Sequence, residues 1–246
     1  MALTPEQLER QKRHILIKEI GGAGVQKLMG ESVSIIGAGA LGGPCAMYLA
    51  AAGVGHIEIW DDDSVELSNL QRQVQFGRAD IGQDKAIRLA ERLQAAAPDC
   101  DVNVREMRWQ TGMSLAGSVL IDATDNYETR FALNRVAHGT ARPLVSGAAL
   151  QWSGQVSVFA SGVEEGAPCY QCFVPEPPPD AAACEDAGVV GPVTGIVASH
   201  MALETLKLVT GAGRPLIGTI LLLDGLSGIS RSVKLHQDTD CPVCSA

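Results

Sequence analysis

Gly37, Gly39 and Gly42 stand in the string G-A-G-A-L-G, and Asp61 follows about twenty residues later. The chemistry this spacing serves is anion binding. One glycine permits a tight turn, one lets the backbone approach a phosphate, and one lets a helix pack closely on a strand. The N–H groups at the helix start then meet the anion. A carboxylate closing the next strand can accept a hydrogen bond from a ribose hydroxyl. A dinucleotide such as NAD and a triphosphate such as ATP both satisfy the pattern, so the loop defines a nucleotide site and leaves the reaction open.

Four of the seven cysteines form two C-x-x-C pairs, Cys169/Cys172 and Cys241/Cys244. Each pair can offer two thiolates to one tetrahedral ion, and four thiolates leave no open position for catalysis. The long gap between the pairs keeps a redox dithiol open as the alternative. Cys184 differs: it lies unpaired in a polar, proline-rich stretch, where an exposed thiol suits nucleophilic work. Cys45 and Cys100 read as small buried residues, and Trp60, Trp109 and Trp152 as packing residues. None of the five histidines is spaced as a metal pair.

The elements that must position these residues alternate. Residues 5–29 read as one or two short helices broken at Gly21-Gly22. A strand over 32–36, an alanine-rich helix over 41–52 stopped by Gly53, and a strand over 56–60 form a β-α-β unit around the glycine loop. A helix over 84–97, strands over 102–107 and 118–122, a helix over 127–138 and a strand over 144–147 follow. This order predicts a doubly wound, Rossmann-like α/β sheet that is mostly parallel. Residues 151–160 predict an antiparallel strand or hairpin. Half of the twelve prolines fall in a long loop over 162–195. Thr194 then caps a helix running to Thr210, and 217–223 forms the last strand. The whole chain reads as a single domain: N-terminal helices over 1–30, a nucleotide-binding half over 31–150, and a second half over 151–246.

The string S-N-L-Q-R-Q at 68–73, Gly82 with Lys85, A-T-D-N at 123–126, V-S-G-A at 145–148 and A-G-V at 187–189 join the glycine loop and the cysteine pairs. In this set, which covers essentially the whole chain, the sequence resembles the adenylyltransferases for ubiquitin-like proteins, of the MoeB and ThiF type. The resemblance implies that Arg72 and Lys85 contact the triphosphate of ATP, Asp125 holds Mg2+, Asp61 takes the ribose and Asn69 helps bind the nucleotide. It implies Zn2+ on Cys169, Cys172, Cys241 and Cys244, a structural knuckle at the base of a crossover loop. It also implies that Cys184 matches a cysteine that in some relatives takes the activated carrier as a thioester or acyl disulfide. Arg13 matches an arginine that the family supplies from a second subunit, although Gln11 and His14 depart from the usual residues beside it. The expected partners are a ubiquitin-fold sulfur carrier ending in Gly-Gly, a second copy in a homodimer, and a sulfur donor such as a cysteine desulfurase. Charge agrees with this chemistry: attack of a carboxylate on the α-phosphate brings two anions together, which calls for fixed cations more than for proton transfer.

Other classes are weakened by composition. A net charge of -9 argues against broad nucleic-acid binding, which needs a basic face. That also weighs against a relative of the enzymes that dehydrate a modified tRNA nucleoside. A 46% apolar, 19% charged chain has ample core-forming material. No leader or membrane span is expected, which predicts a soluble cytoplasmic protein.

Overall fold

The computed structural model describes residues 3–178 and 188–245. Two helices, α1 (Pro5–Ile15) and α2 (Gly21–Met29), precede β1 (Ser32–Ile36), α3 (Gly42–Ala52) and β2 (His56–Trp60). Two 3-10 turns, Leu67–Asn69 and Arg78–Asp80, lead into α4 (Lys85–Ala96). Next come β3 (Asp101–Arg105), β4 (Val119–Asp122), α5 (Tyr127–Gly139), β5 (Leu144–Leu150) and β6 (Ser153–Phe159). A short α6 (Tyr170–Phe173), the long α7 (Gly191–Thr210), β7 (Thr219–Asp224) and β8 (Ile229–Lys234) complete the described elements.

One eight-stranded sheet has the order β3-β2-β1-β4-β5-β6-β7-β8. The first five of these strands are parallel, and β6, β7 and β8 are antiparallel to their neighbours. The order reverses between β1 and β4, so the loops after these two strands diverge to opposite faces and leave a crevice at their carboxyl ends, where ligands of such sheets bind.

Alternation along each strand builds the two layers. Ile35, Ile57, Ile59, Ile121, Val145 and Val156 face one cluster, with Leu49, Leu89 and Met201 of α3, α4 and α7. Ile36, Trp60, Leu120, Leu144 and Phe159 face the other, with Phe131 and Leu133 of α5. Cys45 and Cys100 are buried, as is Trp109, whereas Trp152 is 46% exposed and outside either core.

Several boundaries differ from expectation. Gly21 and Gly22 open α2, and the break lies over 16–20; Gly21, at φ +57, turns the chain into the helix. Thr194 is inside α7, its hydroxyl donating to the Gly191 carbonyl at 2.7 Å. The helix begins earlier, at Gly191, because Pro192 has a preset φ and no N–H to satisfy in the first turn. The long loop is therefore shorter than its composition suggests. Strand β8 was not expected: every residue in it is exposed, so it carries no buried alternation.

Candidate active site

The glycine loop joins β1 to α3. Gly37 has φ +99, its N–H donates to the Trp60 carbonyl at 2.8 Å, and a Cβ there would lie 2.7 Å from the Ala123 carbonyl oxygen. A Cβ at Gly42 would lie 1.8 Å from the Gly37 carbonyl oxygen, so only glycine allows α3 to start so close to the strand. Gly39 is different, since an added Cβ would meet only Gln73 Nε2, at 3.5 Å. Asp61 reaches back from the end of β2. Its Oδ2 accepts the Ala38 N–H at 2.6 Å and its Oδ1 the Asp63 N–H at 2.9 Å. Burial pushes this carboxyl above the usual range despite those bonds and the nearby Lys85 charge.

Gln75 holds the loop from behind. Its Nε2 donates to both the Ala38 and Gly39 carbonyls at 3.0 Å, which turns those carbonyls inward. A Cβ at Gly43 would lie 2.1 Å from that nitrogen, so the fourth glycine of GAGALGG makes room for the clamp. No motif pointed to Gln75; the only signal was a polar residue closing the Q-R-Q-V-Q run.

The segment after β2 carries Asn69, Arg72 and Lys85. Asn69 is buried, and its carbonyl receives the N–H groups of Arg72 (3.0 Å) and Gln73 (2.9 Å). Its side-chain Oδ1 accepts the Glu66 N–H at 3.2 Å, closing the turn that carries Arg72. Arg72 is half-buried, with Nη1 donating to the Ser68 carbonyl at 3.3 Å. Lys85 is the first residue of α4 and only 6% exposed, its Nζ paired with Asp63 Oδ2 at 2.8 Å. A buried cation at a helix N-terminus opposes the dipole, so this placement costs stability and suits anion binding. The segment is anchored by Asp80, which the sequence reading missed. This carboxylate is 1% exposed and accepts the Gly77 N–H at 2.7 Å, Arg88 Nε at 2.8 Å and Arg92. Burial alone would raise its pKa; the Gly77 N–H and the two arginines outweigh it and hold the group below the usual carboxylate range.

Asp125 lies in the turn between β4 and α5, exposed and without a side-chain partner among the described residues. The capping role falls to Asn126, whose Oδ1 accepts the Thr129 N–H at 2.9 Å. Close contacts tie the parts together. Gly37 abuts Ala123, Gly39 faces Gln73, and Gly191 at the start of α7 sits where a Cβ would be 2.6 Å from the Gln71 carbonyl. Beside this turn a groove of about 660 Å³ is lined by Tyr127, Leu150, Gln155, Leu223, Ile229 and Arg231, among others.

The cysteine pairs converge. All four Sγ atoms lie within 4.8 Å of one another. Cys169 is 3.5 Å from Cys241 and Cys172 is 3.3 Å from Cys244, while the two members of the first pair are 4.0 Å apart. Sulfurs on a tetrahedral zinc at about 2.3 Å are about 3.8 Å apart, so the quartet fits zinc. It does not form two separate dithiols. Amide donors support the sulfurs: Asn134 Nδ2 reaches Cys169 at 3.4 Å, and the Asp238 N–H reaches Cys172 at 3.4 Å. Burial pushes the Cys169 thiol far up and Cys172 up to about 11. Cys241 is held low, its burial outweighed by the N–H groups of Cys244 and Val243.

A family model described as the ThiF family matches residues 11–243. The chain belongs to the ThiF family. It is 40% identical to a sulfur carrier protein adenylyltransferase from Thermus thermophilus, over 99% of this chain and 93% of that one. Its identity to the adenylyltransferase and sulfurtransferase MOCS3-1 of Zea mays is 39%, and it spans 53% of that longer protein. Among solved structures, E. coli MccB with MccA-N7isoASN superposes with a TM-score of 0.85 at 19% identity, over 98% of this chain and 75% of that one. SeMet PaaA gives 0.81 at 21% identity, over 95% and 84%. These two likenesses establish the fold.

One expected residue of this ThiF-family chain, Arg13, is on a helix docked away from the glycine loop of its own chain. Arg13 is exposed on α1, which docks through Arg10 Nη2 on the Ala96 carbonyl (2.7 Å) and Gln11 Nε2 on the Ala51 carbonyl (3.3 Å). Those carbonyls close the C-terminal ends of α4 and α3, whereas the glycine loop is at the N-terminal end of α3, about 16 Å away along an 11-residue helix. Cys184 lies outside the described residues. Among the described residues, no helix is long and apolar enough to cross a membrane.

Proposed function

We propose that this chain adenylates the C-terminal glycine of a ubiquitin-fold sulfur carrier ending in Gly-Gly, with MgATP as the AMP donor. The carboxylate oxygen attacks the α-phosphorus, the bond to the β-phosphate oxygen breaks, and the products are a mixed acyl-phosphate anhydride and pyrophosphate. The observation that carries this reading is Lys85, a nearly buried cation at the start of α4, paired with Asp63 and close enough to act on Asp61, the carboxylate bonded to the glycine loop. The relative from Thermus thermophilus, by its name, supports a sulfur carrier as substrate.

In this reading Gly37, Gly39 and Gly42 let the loop approach the phosphates, Asp61 takes the ribose, and Asn69 shapes the turn beneath the nucleotide. Arg72 and Lys85 balance charge on the phosphates, and Lys85 exchanges Asp63 for the triphosphate. Asp125, exposed and without a side-chain partner among the described residues, would hold Mg2+, which would neutralise phosphate charge. Zn2+ on Cys169, Cys172, Cys241 and Cys244 staples the C-terminal segment to the start of the long loop. The groove beside Tyr127 has the size to take an extended tail.

Arg13, exposed on a helix docked at the far end of α3 from the glycine loop, serves the site of a second copy. Met47, Tyr48, Ile196 and Leu203, exposed apolar residues of the adjoining helices α3 and α7, offer a face for that homodimer. Cys184 receives the activated carrier, a cysteine desulfurase supplies sulfur, and the carrier serves thiamine or molybdenum-cofactor biosynthesis in the cytoplasm. The test is ATP–pyrophosphate exchange: it is expected only with a Gly-Gly carrier present. Exchange driven by a small carboxylic acid without carrier would refute the assignment.

A further inference from the structure

Helix α5 connects the nucleotide end of the sheet to the cysteine quartet through two side chains one turn apart. The first is Arg130, 6% exposed. Its Nε pairs with Asp122 Oδ2 at 3.1 Å, and its Nη2 donates to the Thr124 carbonyl at 2.6 Å and the Gly147 carbonyl at 3.1 Å. Asp122 is fully buried; its Oδ1 accepts the Thr124 N–H at 3.1 Å and the Thr124 hydroxyl at 2.7 Å. One ion pair therefore holds the amide, the carbonyl and the hydroxyl of the residue just before Asp125. Asp125 has no side-chain partner of its own among the described residues, so the backbone of this turn sets its direction.

The second side chain is Asn134. Its Oδ1 accepts the Tyr170 N–H at 2.7 Å and its Nδ2 donates to Cys169 Sγ at 3.4 Å. Tyr170, 1% exposed, places its ring 5.8 Å from the Arg130 guanidinium carbon, and Phe131, Phe159 and Phe173 hold that ring edge-on. The neighbour of a quartet cysteine thus forms the wall against which Arg130 packs. A buried ion pair is costly to desolvate, and one whose Nη2 donates both to a turn carbonyl and to the adjoining strand is built to specify geometry.

We propose that Arg130 is a positioning residue for Asp125, and that the metal-loaded cysteine quartet keeps Arg130 in place through Asn134 and Tyr170. Loading of the quartet then strengthens magnesium-dependent nucleotide binding at the other end of α5. This rests on the reading of Asp125 as the magnesium ligand.

The test measures the affinity of the full-length, zinc-loaded protein for a fluorescent ATP analogue, with saturating magnesium and in magnesium-free buffer, alongside zinc content and urea unfolding. Arg130→Lys and Tyr170→Leu are expected to reduce the magnesium-dependent gain in affinity about tenfold, the weight of one or two charge-assisted hydrogen bonds, and to leave magnesium-free binding unchanged. A zinc-selective chelator is expected to reduce the gain by a similar factor in the unsubstituted protein and no further in Tyr170→Leu. A gain that survives in Arg130→Lys, or a parallel fall of magnesium-dependent and magnesium-free binding, overturns the proposal. If neither variant folds, the chelator arm on the unsubstituted protein decides it. Asp125→Asn is the reference: if that variant keeps the gain, the magnesium reading fails instead, and the two failures are distinguishable.

Discussion

Gly39→Ala tests the nucleotide role proposed for one glycine against the structural role of its neighbours. Gly39 is not among the positive-φ residues, and its added Cβ would find only Gln73 Nε2, at ordinary contact distance of 3.5 Å. The substitution should leave unfolding free energy within about 1 kcal/mol of the parent, since an alanine at a permitted φ also reduces the entropy of the unfolded chain. Gly42→Ala is the contrast. Its Cβ would be 1.8 Å from the Gly37 carbonyl oxygen, so α3 and β1 must separate by more than an ångström, an overpacking cost of about 1–3 kcal/mol. Gly37→Ala combines φ +99 with a 2.7 Å contact to Ala123 and should also destabilise the fold. With a phosphate in contact with the loop, the Gly39 methyl must displace it by about 1 Å, and loss of one charge-assisted hydrogen bond, about 1.5–3 kcal/mol, should lower affinity about 10- to 100-fold. Urea unfolding and titration with a fluorescent ATP analogue on the three variants read both quantities. A stable Gly39→Ala that binds ATP like the parent would refute the placement of the phosphates.

The remaining predictions concern charge, subunit exchange and metal. Asp80 has a folded-state pKa below its unfolded one, so its stabilisation is present above about pH 4 and is lost as pH falls through the folded value. Asp80→Asn should lower unfolding free energy by about 2 kcal/mol at neutral pH; urea unfolding should show the gap to the parent closing in acid, and a gap independent of pH contradicts the assignment. Mixing Arg13→Ala and Arg72→Ala chains should restore adenylation to about a quarter of the parent rate, because half the dimers are mixed and each of these has one intact site; no recovery means that Arg13 acts within its own chain. Zinc added to metal-free protein near pH 7 should release protons, since burial holds the Cys172 thiol at about 11. Calorimetry in two buffers of different ionisation heat checks this, and equal heats refute it.

Some of the machinery was legible because its causes are local. The G-A-G-A-L-G turn needs glycine for its own backbone, and residues 32–60 carry a strand, helix and strand in their periodicity, so the loop and Asp61 could be placed without coordinates. Other residues were legible only in part. Lys85 was recognisable as a motif residue, yet a first-turn lysine is ordinarily solvated; its burial depends on Asp63, 22 positions away. Asp125 and Asn126 compete for the same cap, and the backbone gives it to Asn126. Gln75, Asp80 and the Asp122–Arg130 pair matched no motif, since a glutamine, an aspartate or an arginine in isolation does not reveal what will pack over it. Strand β8 escaped because an exposed edge strand has no buried face to imprint on the sequence.

The sequence by itself determined the glycine turn between β1 and α3, the mostly parallel sheet and the four candidate metal thiols, because backbone conformation and strand alternation are written within a few residues of the atoms they govern. Only the tertiary structure decided that the cysteine pairs meet across 72 positions, that Lys85 is buried against an acid, that α1 docks at the end of α3 far from the glycine loop, and that α5 contacts both the Thr124 turn and the quartet. Each of these is a contact between segments distant in the chain, settled by how helices and strands pack around shared cores and not by the residues on either side.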